Sequence, residues 1–190
     1  MPHIAGRSRK MNVSDTQTVK WWALRVAYNK GQKVKHELDR LTIENFLPMT
    51  YRMVIRGERK VKYLVPAINN LIFARCSFDK LKEYHDSTEL PVRYIIDRSN
   101  AAPVSVPDRQ MNSFIAVAGH PDQQVIYLEP DVKGWQKGDM VRITGGVFAG
   151  AEGHFLRLKG DRRVVVSING IAAVATAFIH PSLVERITLI

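Results

Sequence analysis

At 190 residues the chain holds one large domain or two small ones, and a 45% hydrophobic content suits ordinary globular cores, so it is expected to fold. A surplus of 28 Lys+Arg over 18 Asp+Glu gives a net charge of +10, which favours anionic partners, nucleic acid or an acidic protein face, without choosing between them. One cysteine, Cys76, excludes an internal disulfide; no signal-peptide core opens the sequence and no run approaches about 18 apolar residues, so a soluble cytoplasmic protein that avoids membranes is predicted.

Residues 1–20 are polar and aperiodic and read as a loose arm. In "WWALRVAY", residues 21–28, Trp22, Leu24, Val26 and Tyr28 alternate with Ala23, Arg25 and Ala27, the period of a strand. "QKVKHELDRL" switches to helical spacing through Val34, Leu38 and Leu41, with Lys33 and Glu37 as an i,i+4 pair. "YRMVIRGERKVKYLV" alternates on both sides of "RGER" and predicts a hairpin. "LIFARC", 71–76, is a further strand, "SFDKLKEYH" a short helix capped by Ser77, and "VRYIID", 92–97, a strand again. A helix opens at Pro107-Asp108, carries Met111, Phe114, Ile115 and Ala118 on one face, and ends at Gly119. The order β-α-β-β-β-α-β-α points to an antiparallel sheet flanked by helices over 21–118.

By count, residues 1–20 carry +3, 21–118 carry +6, 119–135 carry −2 and 136–190 carry +3. The acidic interval, with two prolines and two glycines, reads as an ordered linker. Beyond it "DMVRIT", "HFLRLK", "RVVVSI" and "GIAAVATAFI" are short strands, with "LVERI" as a candidate fifth. This spacing argues a small, partly closed barrel over 136–190. The expected class is therefore α+β.

The glycine-rich "ITGGVFAGAEGHF", 143–155, spaces Gly145 and Gly150 as a phosphate-binding loop does, but Ala151-Glu152 replace the required Lys-Ser/Thr and both flanks are strand-like. Its glycines therefore serve a turn and a close approach of two strands, leaving Phe148 to cap an apolar end or to face a partner. No histidine has another His or a Cys at close ligand spacing, so no metal site is expected, and no catalytic constellation or cofactor motif occurs. "HPD" at 120–122 is read as chance.

The basic run "RGERKVK", 56–62, lacks interleaved aromatics and reads first as a solvated hairpin tip, with phosphate contact by Arg56, Arg59, Lys60 and Lys62 as the second reading. Lys30, Lys33, Lys35 and His36 form a similar cluster. In "YLVPAINNLIF", Leu64, Val65, Pro66, Ile68, Leu71 and Phe73 exceed what one short strand buries on a face. Two readings stand level: an exposed apolar depression suited to a partner helix, and a core strand with an irregular entry.

Taken together, these residues resemble the family of the transcription elongation factor NusG and its specialised antiterminator paralogues. Trp21-Trp22 opening the first strand, Tyr28, and the Val34-x-x-x-Leu38 helix are similar to the start of the family's N-terminal (NGN) domain. Residues 137–168 resemble a KOW motif, with Gly138-Asp139, Val141-Arg142-Ile143, Gly146-x-Phe148-Ala149-Gly150 and Gly153. The resemblance implies an NGN-like α/β domain followed by an SH3-like KOW barrel, in a monomer that is not an enzyme. It implies docking on the clamp helices of RNA polymerase through Tyr28, Leu64, Val65, Pro66, Ile68, Leu71 and Phe73. Contact with nascent RNA or non-template DNA would fall to Lys30, Lys33, His36, Arg56, Arg59, Lys60 and Lys62. A ribosomal protein or termination factor would be recruited at Arg142, Phe148 and Asn169. Departures from the family pattern, Val65-Pro66-Ala67-Ile68-Asn69-Asn70 where an aromatic-rich stretch is usual, Gln32 for a common Glu, and Asn169 for an aromatic, favour a specialised factor acting on particular operons such as surface polysaccharide loci. The alternative is an RNA-binding or ribosome-associated KOW module.

Overall fold

The computed structural model describes residues 16–129, 137–168 and 170–188. In chain order the first elements are β1 (Lys20–Val26), α1 (Gly31–Arg40), β2 (Glu44–Phe46), β3 (Met49–Arg56), β4 (Arg59–Pro66), β5 (Leu71–Cys76), α2 (Phe78–Ser87), β6 (Val92–Tyr94), β7 (Ile96–Asp97), β8 (Ala102–Pro103) and β9 (Ser105–Val106). There follow α3 (Asp108–Ala118), β10 (Ile126–Leu128), β11 (Asp139–Ile143), β12 (Glu152–Leu158), β13 (Asp161–Ile168), β14 (Ala172–Ala175), a 3-10 turn (Pro181–Leu183) and β15 (Val184–Arg186). The described residues fall into two compact units, one within Met1–Leu47 and Asn70–Val106, the other within Pro48–Asn69 and Pro107–Ile190. The architecture is α+β with antiparallel sheets. Among the described residues no helix is long and apolar enough to cross a membrane.

In the first unit β1 is central. It pairs antiparallel with β5 along one edge and with β6 and β9 along the other, and β2 lies outside β5. Trp21, Trp22, Ala23 and Leu24 are all buried, so both faces of this strand are covered, where the alternation predicts one. Tyr28 does not continue the strand. It and Asn29 each take φ 56°, the left-handed region that turns the chain out of the sheet, and Tyr28 is 81% exposed.

Helix α1 buries Val34 and Leu38, while Leu41 lies past its last turn and is half exposed. The expected Lys33–Glu37 pair is replaced. Glu37 accepts hydrogen bonds from Tyr84 Oη at 3.0 Å and Thr88 Oγ1 at 2.8 Å, tying α1 to α2, and the helix's ion pair is Lys35–Asp39 at 2.9 Å. Ser77 caps α2 as predicted, its hydroxyl accepting from the Lys80 amide. The strand expected at 92–97 divides into β6 and β7, and β7 pairs with β8 rather than joining the main sheet.

The second unit contains a six-stranded antiparallel sheet in the order β10-β14-β13-β12-β11-β15, whose last five strands fit a small SH3-like barrel. "LVERI" supplies β15, paired with β11. Residues 126–128, within the expected linker, instead form β10 on the edge of β14. Helix α3 packs against β12, β13 and β14, burying Met111, Ser113, Phe114, Val117 and Ala118. Val117 thus takes the buried place expected of Ile115. Strand β14, Ala-Ala-Val-Ala, is buried throughout, and its short side chains leave room for a covering element.

The β11–β12 loop settles the glycine-rich stretch as a turn. Gly150, at φ +87°, donates its amide to the Ile143 carbonyl at 2.8 Å, and strands stand on both sides. A Cβ on Gly153 would strike the Val165 carbonyl and come within 2.9 Å of Val164 Cγ1, so only glycine allows β12 and β13 to approach this closely.

Candidate functional site

Among the described residues, strands β3 and β4 pair with each other only, forming a two-stranded ribbon closed at its base by the Ala67 amide donating to the Pro48 carbonyl at 2.8 Å. Its tip is Gly57-Glu58, with Gly57 at φ +60°. The register sorts side chains by face, because successive residues of a strand point to opposite sides. Arg52 opposite Tyr63, Val54 opposite Val61 and Arg56 opposite Arg59 share one face; Tyr51 opposite Leu64, Met53 opposite Lys62 and Ile55 opposite Lys60 share the other. The Arg56 guanidinium lies over the Tyr63 ring at 5.5 Å, and the Lys62 ammonium lies over Tyr51 at 3.8 Å. Aromatics therefore do interleave with the basic residues. The sequence hides this because they are contributed across the ladder. Apolar groups are also uncovered here, Met53 at 57% and Ile55 at 71% exposed.

A second polar constellation centres on Glu152, whose side chain is only 9% exposed. One carboxylate oxygen accepts from Arg109 Nε on α3, and the other from Arg142 Nε at 3.0 Å and Nη2 at 2.8 Å on β11. Burial pushes this carboxyl up, but the hydrogen bonds and charges of the two arginines outweigh it and hold the acid below its ordinary value. Arg142 also reaches Glu185 at 3.4 Å. The Glu152 amide donates to Ser113 Oγ at 3.2 Å, and Gln110 Nε2 donates to the Ser167 carbonyl at 2.8 Å. Of these groups, Arg109, Gln110, Ser113, Glu152 and Ser167 line a cleft of about 620 Å³ together with His154 and Met140. Their hydrogen bonds are spent on one another, and they fasten α3 to the sheet rather than presenting a nucleophile and base. Among the described residues no group of three or more His, Cys, Asp or Glu could hold a metal ion.

The residues expected to dock polymerase do not all reach the surface. Leu71 and Phe73 are 5% and 0% exposed, core side chains of β5, which supports the core-strand reading for them. Tyr28 is exposed in the first unit; Leu64, 44% exposed, and the half-buried Val65, Pro66 and Ile68 belong to the second. Of the basic residues, Lys30, Lys33 and His36 lie at the start and outer side of α1, whereas Arg56, Arg59, Lys60 and Lys62 are on the ribbon. Phe148 is 3% exposed, its ring edge-on to His120 at 5.9 Å, so it caps an apolar end and does not face a partner; Val147, at 54%, is the exposed member of that turn. Asn169 lies outside the described residues. Sequence reasoning missed Arg52, Tyr63 and the Arg109–Glu152–Arg142 cluster. The ribbon residues were signalled by the alternation, whereas nothing local announces a contact spanning residues 109 and 152.

No curated protein matches the chain. Among solved structures, one titled "Domain interaction in Thermotoga maritima NusG" aligns with 91% of this chain and 99% of its own, at 20% identity and a TM-score of 0.47. The family model described as "Transcription termination factor nusG" matches residues 19–115, just over half of the chain. On that match, the chain belongs to the NusG family of transcription factors.

Proposed function

We propose that this chain binds RNA polymerase and suppresses pausing or termination at particular operons, surface polysaccharide loci among them. The observation that carries the reading is the family match over residues 19–115. Tyr28, exposed in the first unit, and Leu64, exposed in the second beside the half-buried Val65, Pro66 and Ile68, would contact the clamp helices, whereas Leu71 and Phe73 are core residues of β5. The departures at 65–70, Gln32 and Asn169 favour a specialised factor. No bond is made or broken in this mechanism. The factor acts by binding the elongating state of polymerase more tightly than the paused state, and only that difference shifts the populations. Lys30, Lys33 and His36 would meet nascent RNA or non-template DNA, and the ribbon cations Arg56, Arg59, Lys60 and Lys62 would contact nucleic acid. The second unit would recruit a ribosomal protein or termination factor near Arg142.

The test is capture of purified core RNA polymerase by the full chain, paired with an elongation assay on a template carrying a pause and a terminator. Tyr28→Asp and Leu64→Asp are expected to weaken capture and to shorten read-through together. Unaltered capture by both variants would move docking elsewhere, and absence of capture by the parent chain would refute the reading.

A further inference from the structure

We propose that the β3–β4 ribbon is a DNA-binding arm that enters the major groove of a B-form duplex with its arginine face toward the base edges. Residues 49–66 carry Arg52, Arg56, Arg59, Lys60 and Lys62 against the single acid Glu58. The three arginines are exposed, share one face, and make no ion pair among the described residues. Unlike an edge strand, the ribbon has no third strand on either side among the described residues. Two strands about 4.8 Å apart fit within a groove about 12 Å wide, and eight residues of each strand reach about 25 Å.

The chemistry selects a duplex over a single strand. A single-strand site offers open ring faces on which bases stack, but here Lys62 occupies one face of Tyr51 and Arg56 one face of Tyr63. Those contacts hold the cations in register. Each guanidinium presents a fork of donors that matches the O6 and N7 acceptors of guanine, which only the major groove displays. An A-form RNA duplex, whose major groove is deep and narrow, does not admit the ribbon.

Fluorescence anisotropy with the full chain and a labelled, G·C-containing DNA duplex of roughly two helical turns tests this without polymerase, so the outcome is separable from that of the capture experiment. The parent should bind the duplex more tightly than either of its single strands or an RNA duplex. At roughly 100 mM salt the R52A/R56A/R59A variant should lose about ten-fold or more in affinity, whereas removing three exposed cations of the first unit, K82A/R93A/R98A, should change it less than about two-fold. R52K/R56K/R59K keeps the charge and so guards against a misfolded ribbon; it should retain attraction to DNA but lose the preference for G·C-containing over A·T-only duplex. The proposal is overturned if the parent binds single strands as tightly as duplex, if the alanine variant binds like the parent, if both triple alanine variants lose affinity equally, or if the lysine variant keeps the G·C preference.

Discussion

Replacing Glu152 by Gln removes the charge on which Arg109 and Arg142 converge while preserving side-chain shape and one acceptor oxygen. Hydrogen bonds to a charged group contribute ~1.5–3 kcal/mol each, but the arginine side chains are 54% and 46% exposed and regain water when released. The net loss is therefore about 2 kcal/mol, a large fraction of the roughly 5–15 kcal/mol that stabilises a domain. For a chain of this length that lowers the thermal midpoint by about 4–8 °C, readable by far-UV circular dichroism at pH 7. The pH dependence adds a second readout. The native carboxyl lies below its ordinary value, which is 4.5, so its contribution is complete above that value and disappears as pH falls through the lower, native one. The gap between the parent chain and Glu152→Gln should be full at pH 7 and should close on acidification below about 4.5. A midpoint shift under about 1 °C at pH 7, or a gap that persists unchanged in strong acid, would refute the reasoning.

Three further outcomes are expected. Gly153→Ala forces a methyl group against the Val165 carbonyl and should destabilise the second unit by about 2 kcal/mol or more in denaturant titration, whereas Gly145→Ala, which meets only Leu183 Cδ2 at 3.4 Å, should cost less. Phe148→Ala empties a buried site and should cost about 3–5 kcal/mol, with partner capture at a temperature where the variant remains folded left intact; selective loss of capture would return Phe148 to the surface. Burial raises the Cys76 thiol to about 11 and leaves it 5% exposed, so a thiol reagent at neutral pH should be excluded from the native chain and react fully once it is unfolded; rapid native labelling would contradict the burial.

Much of the architecture could be read from local pattern. The period-two alternation of 51–55 and 61–65 yields β3 and β4, and the β-branched "RVVVSI" yields β13, because a pleated strand leaves its mark within a few residues. What escaped was relational. Val54 and Arg56 look like ordinary solvated residues until the ladder sets Tyr63 beside the arginines. Leu71 and Phe73 could equally have been surface or core, since an apolar run does not say how many of its faces are covered; β1 on one side and β2 on the other settle it. Glu152 was indistinguishable from a solvated acid because its partners are separated from it by 43 and 10 residues. Tyr28 was misread for a different reason: its backbone leaves the extended region just where the side-chain rhythm still suggests a strand.

The attachment of α3 and β10 to the C-terminal sheet decides where this polypeptide can be divided. A truncation starting at residue 136, where composition alone invites the cut, would strip the helix from β12, β13 and β14 and unpair the outer side of β14. What remained would offer a greasy plane and a bare hydrogen-bonding margin to its neighbours in solution, the ingredients of precipitation. Starting at Pro107 instead keeps the lid and the border strand with the sheet they protect, and leaves behind only residues 48–69 of that unit.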